Sequence, residues 1–146
     1  MGDSEQTRGL LAALTPKVRD CREALRAQEV GNALYGLQRM GDSEQTRGLV
    51  AALTPKVRDC REALGAQHVG NALFGLQRMG DSEQMRGFVA ALTPKVQQCR
   101  EELRKYDVDR ALKQLPQFGD SDEVRDLFLV FLDKGLERAL GCRLTS

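Results

Sequence analysis

Glu29, Asn32 and Tyr35 recur 39 residues later as His68, Asn71 and Phe74. These residue types suit recognition rather than bond-making: a ring can stack on a nucleic-acid base, and an amide can pair with a base edge. The Glu29/His68 position, Asp107 in the next copy, changes while its surroundings hold. A base-reading position behaves that way, and so does drift at a solvated helix start. Tyr35 and Phe74 sit about 100° round a helix from Leu34 and Leu73. That is the edge of an apolar stripe, where core packing is the commoner role. Asn32 and Asn71 suit a base edge or a backbone carbonyl of a neighbouring unit. Arg39 and Lys56 recur as Arg78 and Lys95, and a column of such charges makes a track for phosphates. Their acidic neighbours Asp59 and Glu62 support the other reading, a mutually neutralised solvated face.

Covalent chemistry has little to build on. His68 is the sole histidine, so no Ser, Cys or carboxylate recurs beside one. We expect a non-enzyme without a cofactor. Cys21, Cys60 and Cys99 stand 39 apart with no CxxC pair, and Cys142 falls outside that register. This argues against a metal site and for a ladder of small buried thiols in an intracellular, reducing compartment.

The elements that must position these residues follow from the repetition itself. Residues 1–39 and 40–78 match at 35 of 39 positions; a third copy spans 79–117, and a fourth begins at Phe118. A fixed period of this length marks stacked repeats. Each copy holds two helical patterns. Val30, Ala33, Leu34, Leu37 and Met40 share one face of the first, and Gly41 is expected to stop it in a left-handed conformation. In the "DSEQ" that follows, Asp42 or Ser43 can cap the second helix, and Asp42 with Gln45 has the spacing of a capping box. That helix turns Leu49, Val50, Leu53, Val57, Cys60 and Leu64 inward. Thr54-Pro55 predicts a kink, or a break into two short helices with Pro55 at the first helical position. Gly31, Gly36 and Gly48 are expected to let helices approach closely.

No segment alternates with period two, so the expected fold is all-α: an α-solenoid of stacked two-helix, 39-residue repeats, with four second helices and three first helices. The single domain 1–146 divides into a half repeat at 1–26, repeats at 27–65 and 66–104, and a capping repeat at 105–146. In the last repeat Asp109, Arg110 and Lys113 replace the Gly, Asn and aromatic of earlier copies, as suits an end facing water. The apolar "LFLVFL" run from Leu127 to Leu132 would pack inward or meet a partner, and exposed ends admit end-to-end self-association. That run is about a third of what a membrane span needs, so no membrane role is expected. "MGDSEQ" has Gln6 where a myristoylation motif wants Ser or Thr. No signal or transit peptide is visible. Lys and Arg total 22 against 21 Asp and Glu, which excludes a strongly basic binder but leaves room for a local basic stripe.

The stretch "AQxVGNALYGLQRMG", with Gln28, Val30, Asn32, Leu34, Tyr35, Leu37, Met40 and Gly41, resembles the first helix of the octotricopeptide and heptatricopeptide class of helical repeats. Gln67, Val69, Asn71, Leu73, Phe74, Leu76, Met79 and Gly80 repeat it. The resemblance covers nearly the whole chain, with Tyr or Phe where the class usually has Trp, and Lys113 in the third copy. It implies an α-solenoid that binds single-stranded RNA along its concave surface, in an organelle or an intracellular bacterium. The rival expectations are a protein-interaction scaffold and a consensus-like or designed array without its own ligand.

Overall fold

A computed structural model describes residues 4–142. Residues 1–3, which open the N-terminal hexapeptide, and 143–146, which end the last copy, lie outside the described residues. The fold is all-α, with no strand among the described residues. Four longer helices, α1 (Glu5–Asp20), α3 (Glu44–Arg58), α5 (Glu83–Gln97) and α7 (Asp122–Leu140), alternate with three shorter ones, α2 (Ala27–Tyr35), α4 (Ala66–Gly75) and α6 (Lys105–Gln114). A 3-10 turn, Leu115–Phe118, follows α6. No helix among the described residues is long and apolar enough to cross a membrane.

Each longer helix starts at a serine. Ser4, Ser43, Ser82 and Ser121 accept the backbone N–H three residues on, at 3.1, 3.1, 3.1 and 3.3 Å, satisfying a donor the helix cannot. The cap is therefore Ser43 and not an Asp42–Gln45 box. Asp42 is occupied elsewhere, accepting from Arg47 at 3.1 Å and from the Gly80 N–H at 3.1 Å.

Of the kink or break expected at proline, the break does not form. Pro16, Pro55 and Pro94 lie inside uninterrupted helices. Each sits within about a turn of the helix end, where the N–H it lacks costs one intrahelical bond. The threonine before it donates its hydroxyl back to the carbonyl four residues earlier: Thr15 to Leu11 at 2.7 Å, Thr54 to Val50 at 2.8 Å, Thr93 to Val89 at 2.9 Å. Gly41 does not stop its helix either. α2 ends at Tyr35, and the positive-φ glycines among the described residues are Gly119 and Gly141.

The helices pack in two rows. The longer row runs α1 on α3, α3 on α5 and α5 on α7, and the shorter runs α2 on α4 and α4 on α6. Leu49, Val50, Leu53, Val57, Cys60 and Leu64 are all buried, as the apolar pattern requires. The thiol ladder is shorter than expected: Cys60 and Cys99 are buried, Cys21 and Cys142 exposed. The "LFLVFL" run divides, with Leu127 and Phe131 in the core and Leu129 and Leu132 at the surface. Close approach is real at Gly31, where an added Cβ would lie 3.2 Å from the His68 ring, but nothing stands within 4 Å at Gly48. At Gly36 an added Cβ would meet only carbonyls of its own turn, at 3.4 and 3.5 Å.

Candidate nucleic-acid interface

The shorter row carries the rings. Tyr35 ends α2 and Phe74 lies one residue from the end of α4. Because α2 packs on α4, the two rings come together, stacked with centroids 5.3 Å apart and planes 22° from parallel. Neither is core. Tyr35 is 43% exposed, and Phe74 is half-buried. Edge-of-stripe positions are buried only where a further element covers them, and none covers these fully.

The stack continues through residues that the repeat pattern does not mark. The Arg110 guanidinium of α6 lies 5.0 Å from the Phe74 ring centre and 4.6 Å from that of Tyr106. It also donates to the Tyr106 hydroxyl. Tyr106 is 63% exposed. Guanidinium over a ring face is attracted by the ring quadrupole, so Tyr35, Phe74, Arg110 and Tyr106 form one surface ladder across three copies. Tyr106 stands where earlier copies have Gln28 and Gln67, and Arg110 where they have Asn32 and Asn71. The sequence signal was there as a departure from the columns, and it reads equally well as a solvated cap. Asn71 lies with Tyr35, Phe74, Arg110 and Tyr106 around a shallow depression of about 200 Å³. Asn32 is exposed on α2.

The other expected site residues have structural occupations. Glu29 caps its own helix, its carboxylate accepting the Arg26 N–H at 2.9 Å. His68 does the same for α4, with Nδ1 accepting the Gly65 N–H at 2.9 Å. Asp107 is buried and bonded to Arg104 at 2.7 Å. That column varies among residues that can serve the first turn of the shorter helix.

Lys56 and Lys95 belong to the longer row. The Lys56 ammonium donates to the Cys21 carbonyl just past the end of α1. Lys95 reaches the Cys60 carbonyl at 2.6 Å, and Lys134 the Cys99 carbonyl at 3.1 Å. A cation at a helix C-terminus is favoured by the dipole and satisfies carbonyls left without intrahelical partners. Carboxylates do the converse at the shorter helices: Glu62 accepts the Ala27 N–H and Glu101 the Ala66 N–H, each at 2.7 Å. All these contacts step back 35 residues. Arg78 donates to the Arg39 carbonyl at 3.3 Å; both arginines are exposed. Arg47, Arg86 and Arg125 each pair with an aspartate five residues before, at 3.1, 2.7 and 2.8 Å. No family model matches the chain, nor does any curated protein or solved structure.

Proposed function

We propose that the chain is an α-solenoid of 39-residue, two-helix units that binds single-stranded RNA along its shorter-helix row, in the manner of the octotricopeptide and heptatricopeptide proteins it resembles. The helix-on-helix packing of the two rows supports the first half. The observation that carries the second is the exposed ladder of Tyr35, Phe74, Arg110 and Tyr106. Rings held at the surface beside an amide such as Asn71 supply what unstacked bases need. The four thiols of the chain fit a reducing compartment.

A base does not enter between Tyr35 and Phe74. It is about 3.4 Å thick, the rise of stacked bases along one strand, and insertion needs nearly twice that spacing where the centroids are 5.3 Å apart. Stacking therefore falls on the outer faces of Tyr35 and Tyr106. Arg39 and Arg78, both exposed, serve the phosphates, Arg78 through the guanidinium donors that its bond to the Arg39 carbonyl leaves over, while Lys56 and Lys95 belong to the longer row and reach back to carbonyls there.

The test is fluorescence anisotropy with a pool of random single-stranded RNA at two salt concentrations. Base–aromatic stacking is worth about 1–3 kcal/mol, so Tyr106→Ala weakens binding about 5- to 150-fold. Few phosphate contacts predict a shallow salt dependence. No saturable binding at low salt sinks the reading. It would then favour a protein-interaction scaffold, a reading supported by the recurring Asp–Arg pairs and a net charge of +1.

A further inference from the structure

Near-identical helices in the longer row differ sharply in what they bury. Leu10 and Leu14 of α1 are 59% and 44% exposed, whereas Leu49 and Leu53 at the same positions of α3, and Phe88 and Leu92 of α5, are buried. In α7 the same positions hold Leu127 and Phe131, again buried. What α3, α5 and α7 have is an earlier longer helix to pack on. The exposed face of α1 is therefore the one that the other three turn toward the preceding helix. Lys17 lies on that side, at the position from which Lys56, Lys95 and Lys134 reach the end of the preceding longer helix.

The complementary face is identified the same way. α1 packs on α3, and its buried residues are Thr7 and Leu11. The matching positions of α7 are Val124 and Phe128, the second only half-buried. With Pro116 and Leu129 they line an apolar groove of about 620 Å³, and Leu129 and Leu132 beside it are exposed. Leu10 and Leu14 are the residue types that fill this side of the interior interfaces. The C-terminal end of α7, where the helix dipole favours a cation, is the end that Lys17 would approach.

We propose that the occupant is a second copy of this chain, whose α1 seats Leu10 and Leu14 in the α7 groove so that copies join head to tail. The contact extends an interface that the fold already makes three times in the longer row, and it is independent of any RNA ligand. Because the two faces differ, the contact is heterologous and propagates beyond two copies unless the rotation closes a ring.

Sedimentation velocity on the full chain across a concentration series tests this. The weight-average mass should rise past twice the monomer mass. A head variant with Leu10→Glu and Leu14→Glu, and a tail variant with Leu129→Glu and Leu132→Glu, should each remain monomeric with unchanged helical circular dichroism. Mixed in equal amounts, they should form a species of twice the monomer mass and nothing larger. If either pair loses helicity, the corresponding Leu→Gln pair takes its place. A wild-type chain that stays monomeric, or stops at two, overturns the proposal. So does a blocked variant that assembles like the wild type, or a mixture that stays monomeric.

Discussion

Lys95 donates to a carbonyl of the preceding copy at 2.6 Å, while Lys17, at the same position in the first copy, is exposed. Lys95→Met keeps most of the aliphatic stem but loses the bond, and should cost about 1 kcal/mol. Lys17→Met should stay within about 0.5 kcal/mol of the parent at high dilution. Urea unfolding of both variants separates them, and equal shifts would mean that the carbonyl contact contributes nothing. Asp120 offers a test in protonation. A hydrogen bond from Arg125, and then its positive charge, hold this exposed carboxyl below the ordinary carboxylate range. A carboxyl lowered in the folded state adds stability above its unfolded pKa and loses it as pH falls through the folded value. Water screens the pair, so the readable quantity is the titration. In Arg125→Gln the Asp120 midpoint followed by NMR should rise into the ordinary range. The sequence displayed the periodic lysines and glutamates but not their acceptors, because a contact 35 residues back depends on how neighbouring copies stack. The capping role of Glu29 and His68 was hidden for another reason: carboxylate and imidazole share one task there, so these two copies differ in residue without differing in function.

At the level of elements, sequence identity and structural demand part company at one glycine. Gly75 ends α4 against α2, and an added Cβ would fall 1.8 Å from the Leu34 carbonyl oxygen, a backbone atom that cannot swing aside. Gly36 holds the same position in the copy before, with no shorter helix ahead of α2. Gly75→Ala should therefore destabilise by about 3 kcal/mol or more, since the helices must separate, while Gly36→Ala changes stability by less than about 1 kcal/mol. Thermal unfolding of the pair decides it; similar losses would mean that the glycines act through backbone freedom alone. Helix type and order were legible because apolar spacing and serine caps act locally. The proline helices were less so, because the threonine hydroxyl that bonds back to the preceding turn and the nearness of the helix end both soften a strong local signal. The ring ladder was only half legible. Tyr35 and Phe74 stand out by their spacing, but their exposure is decided by what covers them, and Tyr106 and Arg110 join from outside the repeating columns.

Across the whole molecule, the outer two of the longer helices, α1 and α7, bury less than the inner two. Thr7 and Leu11 are buried in α1, against Thr46, Leu49, Val50, Ala52, Leu53 and Val57 in α3. Opening free energy follows such local packing. Amide hydrogen exchange at high dilution should thus show α1 exchanging at least tenfold faster than α3, despite nearly the same sequence; matched rates would contradict an end that frays first. The contacts that step back 35 residues carry a consequence for heredity. Excising residues 40–78 would remove Lys56 along with its neighbours but bring Lys95 to the Cys21 carbonyl, and Glu101 to the Ala27 N–H, so each bond would find an equivalent partner. A deletion of any length other than a whole period misaligns every such contact that spans it. Recombination between copies can therefore shorten or lengthen a gene of this kind by 39 codons at a time while leaving every junction chemically intact, and most other length changes would be eliminated at the level of folding.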